Sequence, residues 1–306
     1  MGNFYKLIGI CTLMTVLVVP AYANTVTDRS GRTFEVRKPF QRIISLYGAH
    51  TENLFHLGLN KEIIGVSKSD TYPPEALKKS KFSYHDDAEK FMAFTPDLVL
   101  IRPMIARVYR QFIEKLEQAG ITVISLQPVG IEDMYRYWRD LGVLTGRETE
   151  ADTMIRTFRE SVQTVRERTM AVPPENRKKV YFESIHNKMK TFSQNSMAMF
   201  VLETAGGINV AKDASQMRQT NIAAYGKERV LSKAREIDVY LAQYGSMNAV
   251  TVGQIRAEPG FQVIRAIRDS QVYLIDEMIV SRATFRLLEA IEQINRILYP
   301  DIAPGR

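Results

Sequence analysis

The sequence predicts an α/β protein of two Rossmann-like lobes joined by a single long α-helix, with a ligand cleft between the lobes. Three observations lead there. Short apolar runs alternate with helical patterns from Arg42 onward, which indicates a parallel sheet covered on both faces. The same alternation restarts after Pro173-Pro174. Between the two series, Glu148–Met170 places Met154, Ile155, Phe158, Val162 and Val165 at steps of three or four, so one helical face packs.

The chain opens with a positive charge at Lys6, an apolar run over Leu7–Val19 and the small-residue site Ala21-Tyr22-Ala23. That order predicts a secretory signal peptide over residues 1–23 and hence a periplasmic location. As a helix the apolar run would reach only about 20 Å, short of the ~30 Å hydrocarbon core. Cys11 is the only cysteine; it lies inside that run, and Ile10 before it is too large for a lipoprotein cleavage site. The exported chain therefore has no cysteine, which excludes disulfides, thiolate metal sites and cysteine nucleophiles.

Lobe one, residues 24–145, begins with a hairpin over Val26–Val36 turning at Ser30-Gly31. Strands follow at Arg42–Leu46, Glu62–Val66, Asp97–Ile101 and Thr122–Leu126, and helices at Thr51–Leu57, Ala88–Phe94, Arg107–Ala119 and Ile131–Leu144. The connecting helix occupies residues 146–172, and its outer face carries Arg156, Arg159, Glu160, Arg166 and Glu167. Lobe two, residues 173–306, has strands at Lys179–Glu183, Asp238–Ala242 and Gln271–Ile275. Its helices are Ser196–Ala205, Glu228–Ala234, Phe261–Asp269 and Phe285–Leu298, the first stopped by Gly206-Gly207.

The net charge of +7 comes without basic blocks interleaved with aromatics, so nucleic acid is not implied; an anionic small ligand fits it as well as simple solubility does. Phosphate-binding loops, the nucleophile elbow of α/β hydrolases and H-E-x-x-H are all missing from the sequence, and no nucleophile–base pair can be named. No catalysis is expected. Of the four histidines, His56 falls on the apolar side of a short helix. His50 and His186 each follow the first strand of a lobe and His85 precedes a helix, so all three are expected at the cleft, where ligands bind in open α/β sheets. Tyr47, in the same stretch as His50, is expected on that rim.

Four segments in order resemble the substrate-binding proteins of ABC importers for ferric siderophores and vitamin B12. They are "RIISLYGAHTENLFHLGLNKEIIGVSKSDTYPP" (Arg42–Pro74), "EKFMAFTPDLVL" (Glu89–Leu100), "LETAGGINVAKD" (Leu202–Asp213) and "SRATFRLLEAIEQI" (Ser281–Ile294). The resemblance implies two α/β lobes bridged by one helix. It also implies delivery of a metal chelate, containing iron or cobalt, to a permease dimer of the inner membrane by a monomeric protein without a cofactor of its own. Glu89 and Glu228 match the family's two exposed glutamates, one per lobe, that meet permease arginines.

Where the family's vitamin B12 binder has a cleft tryptophan, this chain has Ser83 or Tyr84, and its only tryptophan, Trp138, reads as core. A corrinoid is therefore less favoured than a ferric siderophore. Arg102, Arg218, Arg282 and Arg286 are expected to offer guanidinium groups to an anionic chelate. Met197 and Met199 read as core, whereas Met217, Met247 and Met278 lie in loops, where one methionine with one histidine would suit haem iron. A bare metal ion held by His50, His85, His186 and a carboxylate such as Glu183 is the remaining alternative.

Overall fold

The computed structural model describes residues 24–217 and 220–302. The signal-peptide stretch and Arg218 lie outside the described residues. Strands β1 (Asn24–Thr27) and β2 (Thr33–Val36) form the N-terminal hairpin. Lobe one is built on β3 (Ile43–Ser45), β4 (Ile63–Ser67), β5 (Ser80–Phe82), β6 (Leu98–Ile101) and β7 (Thr122–Ser125), in the spatial order β5-β4-β3-β6-β7 with every pairing parallel. All four residues of β6 are buried, as expected for a strand covered on both faces. The strand order reverses at β3 and β6, and the space beyond their carboxyl ends is where ligands bind in open α/β sheets.

The helices of this lobe are α1 (Gly48–His56), α2 (Ala88–Ala93), α3 (Pro103–Val108), α4 (Arg110–Gln118) and α5 (Ile131–Thr145). Two differ from the sequence reading. Helix α1 begins at Gly48, not Thr51, so the Tyr47–His50 stretch is the helix's first turn and not a loop before it. The expected Arg107–Ala119 helix is two helices that meet at Tyr109, whose ψ of 47° breaks the run.

Gly146, at φ 66°, closes α5 in the left-handed conformation and lets the chain reverse into α6 (Glu148–Met170). Glu148 and Glu150 in its first turn and Arg168 in its last complement the helix dipole. Phe158 at its middle packs edge-on to Trp138 of lobe one (5.3 Å between ring centres) and against Phe200 and Phe285 of lobe two. One apolar core thus runs from lobe one through α6 into lobe two, and Trp138, fully buried, is part of it as expected.

Lobe two contains β8 (Lys179–Ile185), β9 (Lys190–Phe192), β10 (Ile208–Asn209), β11 (Ser215–Gln216), β12 (Ile222–Ala224), β13 (Val239–Tyr244) and β14 (Val272–Asp276). Strands β8, β13 and β14 are parallel neighbours; β9, β12 and β11 extend the sheet antiparallel. Its helices are α7 (Met197–Thr204), α8 (Lys227–Ser232), α9 (Val252–Ala257), α10 (Arg265–Arg268), α11 (Glu277–Val280) and α12 (Leu287–Leu298). Met197 and Met199 are buried in the core, and Met217 packs partly buried against it. Among the described residues no helix is long and apolar enough to cross a membrane.

Candidate functional site

The carboxyl end of β3 supplies Tyr47 and that of β6 supplies Arg102, so these two residues flank the crevice where the strand order reverses. The Arg102 guanidinium sits 5.5 Å from the centre of the Tyr47 ring, a cation–π arrangement. Among the described residues Arg102 has no ion-pair partner, and its side chain makes no hydrogen bond. It is held at the rim with its charge available.

Beside it, the loop after β5 meets the junction of α3 and α4. Tyr84 packs on Tyr109 at 4.8 Å, and His85 stands edge-on to Tyr109 with a 3.3 Å contact between Nδ1 and the phenol oxygen. This aromatic ledge was half legible. Tyr84 and His85 were read from the sequence; Tyr109 was hidden inside what looked like a continuous helix. In lobe two, Tyr244 and Met247 at the carboxyl end of β13 are 44% and 50% exposed.

His50 is not on the rim. It is the third residue of α1, so its side chain points back under the helix and is fully buried. Its Nε2–H donates to the Ile101 carbonyl (3.1 Å), and Nδ1 therefore accepts from the Tyr137 hydroxyl (2.7 Å). Burial holds the imidazole neutral, with its pKa down at about 4, and the Arg102 charge pushes the same way. Both nitrogens are spent, one pinning α1 to the end of β6 and the other to Tyr137 of α5, which fixes the first turn of α1 next to Tyr47 and Arg102. His56 stacks on Phe285 at 4.3 Å but keeps a solvent-exposed edge, so the packed reading holds for one face only.

In lobe two His186 does follow β8, as expected, but its Nδ1 is bonded to buried Glu183 (2.9 Å). That bond raises the imidazole pKa, and the Glu183 charge adds to the effect. Tyr240 donates to the same Glu183 oxygen, and Glu258 lies 3.7 Å from His186 Nε2. His50, His85 and His186 thus sit in three separate networks. Among the described residues no group of three or more His, Cys, Asp or Glu side chains is placed to hold a metal ion.

Arg282 and Arg286 were expected to face an anionic ligand. Instead they converge on Glu52, a buried carboxylate of α1 that the sequence reading passed over: Arg282 Nη1 donates to Oε1 at 2.9 Å, and Arg286 Nη1 lies 3.6 Å from Oε2. Burial pushes the Glu52 pKa up, and Arg282 opposes it. A Cβ on Gly48 would come within 2.2 Å of Arg282 Nη1, so a larger residue there would displace the guanidinium from its place beside Glu52. Arg286 also stacks on Tyr72 at 4.0 Å. The neighbouring Ala283 carbonyl accepts from Asn53 (2.9 Å) and Trp138 (3.2 Å) of lobe one, and Met278 sulfur faces the Thr71 hydroxyl at 3.8 Å. Residues 278–286 are therefore a second seam between the lobes. In α1 the polar residues Thr51, Glu52 and Asn53 are buried along with its apolar ones, and a buried carboxylate needs a cation.

Glu89 and Glu228 are exposed in the first turns of α2 and α8. The cations beside them are committed elsewhere: Lys90 to Asp86 (2.7 Å), Lys227 to Glu258 (2.6 Å) and Arg229 to Asp213. Among the described residues neither glutamate makes an ion pair.

Two α/β lobes, one helix joining them and an open rim of aromatic side chains with a free guanidinium define a ligand-binding scaffold. Residues 43–278 match the family described as periplasmic binding protein, and the chain belongs to that family. It is 25% identical over 283 residues to an uncharacterized ABC transporter substrate-binding lipoprotein of Bacillus subtilis, covering 90% of this chain and 86% of that one. It is 26% identical over 262 residues to the vitamin B12-binding protein of Vibrio cholerae, covering 84% and 89%. The fold is similar to that of the periplasmic heme-binding protein RhuT from Roseiflexus sp. RS-1, with a TM-score of 0.70, 22% identity, and 86% and 99% of the two chains covered.

Proposed function

We propose that this protein is the solute-binding component of an ABC importer, that it carries an anionic metal chelate, a ferric siderophore first, and that it delivers it to a permease dimer of the inner membrane. The observation that carries this reading is Arg102. Of the three arginines expected to meet the ligand and described by the structure, it alone keeps its charge uncommitted, at the crevice between β3 and β6. A chelate carboxylate or phenolate there gains a charge-assisted hydrogen bond, and Tyr84, Tyr109, Tyr244 and Met247 supply apolar contact for the organic part. No reaction is catalysed. Glu89 and Glu228, one on each lobe, are the contacts offered to the two permease subunits.

Haem is the second reading. It is favoured by the half-exposed Met247 and by His85 on the aromatic ledge, since its iron takes such ligands. Replacing Arg102 by glutamine separates the two. For an anionic siderophore the loss of about 1.5–3 kcal/mol lowers affinity at least tenfold in a fluorescence titration. An unchanged siderophore affinity removes the basis for the first reading. Loss of haem binding in His85→Ala with siderophore binding absent in the unaltered protein establishes the second.

A further inference from the structure

We infer that lobe one carries a second site, separate from the cleft: a cationic pocket at the outer edge of its sheet that binds a small multivalent oxyanion. The pocket, of about 400 Å³, lies between the hairpin turn, the α3–α4 pair and the end of edge strand β7. Arg29, Arg32, Arg107 and Arg110 line it, together with Glu114 and Glu117. Arg29 is bound to Asp133 (3.3 Å), and Arg32 to Asp28 (3.1 Å) and Glu117 (2.6 Å). Arg107 and Arg110 make no ion pair among the described residues, and neither does Glu114, so two guanidinium groups against one carboxylate line the pocket without partners there.

The wall below them holds the decisive feature. Ser125, 1% exposed, lines the pocket, and among the described residues its buried hydroxyl has no hydrogen-bond partner. Alternation along β7 gives its direction. Val123 packs with Ile113 and Leu116 of α4 on one face, whereas Ile124 and Leu126 join the core on the other. Ser125 shares the face of Val123, toward α4 and the pocket. A buried hydroxyl without a partner is unfavourable unless something in front of it supplies one. Arg110, Ile113, Glu114 and Glu117 line the pocket from one flank of α4.

Two planar guanidinium forks and a buried hydroxyl are suited to an acceptor with more than one negative charge. Phosphate and a polycarboxylate share that chemistry, and the volume admits either. None of these residues belongs to the rim of Tyr47 and Arg102, so this inference stands whether or not the proposed ligand of the cleft is right.

Calorimetric titration of the full chain with inorganic phosphate and, separately, with citrate tests it, at fixed ionic strength with chloride as the background anion. Saturable one-to-one binding of at least one of them is expected, and the tighter one fixes the chemistry. Arg107→Gln with Arg110→Gln, both on the surface and harmless to folding, should weaken binding by about a hundredfold or more, and Ser125→Ala by about tenfold. Arg102→Gln should leave it unchanged. Heat that does not saturate, a response that chloride reproduces, or binding that survives the double arginine variant overturns the inference. So does binding that is lost in Arg102→Gln.

Discussion

Replacing Arg282 by glutamine will destabilise the folded protein by about 3–5 kcal/mol, the cost typical of removing one partner from a buried ion pair. The partner left behind is Glu52, 5% exposed, whose Oε2 already has no hydrogen-bond donor among the described residues. Arg286, 3.6 Å away, keeps some attraction but is shared with Glu289 at 3.2 Å. The deficit depends on pH with a definite sign. Burial raises the Glu52 pKa in the folded state, and Arg282 is the main charge opposing that rise, so its removal lifts the folded pKa further. Above that raised value the variant carries an uncompensated buried charge and the loss is complete. As pH falls through it the folded carboxyl takes up a proton, and below the pKa of the unfolded chain it is neutral in both states. Urea denaturation at pH 8 and pH 5 should therefore show a larger gap from the unaltered protein at pH 8. A gap below 1 kcal/mol (roughly the value of an exposed pair), or one equal at both pH values, contradicts this account of the seam.

Reversing both exposed glutamates, Glu89→Arg with Glu228→Arg, will abolish stable association with the cognate permease while leaving ligand affinity as it was. If the proposed docking holds, each reversal turns attraction toward a basic permease surface into like-charge contact, which costs several kcal/mol, and the two lie on different lobes, so their effects add. A loss of about a thousandfold or more in association is expected from the pair. Neither residue is buried, and among the described residues neither is bonded, so the fold has no stake in them. Single reversals should each give an intermediate loss. Co-purification of the permease with the double variant at the usual yield would show that these glutamates are not the docking contacts.

The alternation of β6, β7, β8, β13 and β14 with helices was legible because buried parallel strands are continuous apolar runs. The helix Glu148–Met170 was legible to its end residues, since acidic and basic turns bound it and two prolines follow soon after. What the sequence hid has physical reasons too. Strand β5, Ser80-Lys81-Phe82, has one apolar residue, and β10 and β11 are two residues each, too short for any period to register. Gly48 suggested a turn, yet it lies inside the first turn of α1 with the Arg282 guanidinium packed against it, and the shift of the helix start carried His50 from the rim to the interior. Glu52 and Arg282 are 230 residues apart, and two stretches recognised separately, "TEN" and "SRATFR", turn out to be the two sides of one contact. The sequence carried no signal for which side chains at the strand ends pair with each other, or, as at His50, which of them turn inward.

Isolating the protein undenatured from the cells that make it, and recording its absorption spectrum with a metal analysis, tests the proposed function most directly. The account predicts one organic chelate of iron or cobalt per chain, displaced or weakened in Arg102→Gln. A protein that carries zinc or manganese with no organic ligand, or that binds no siderophore, haem or cobalamin when these are supplied, would contradict it.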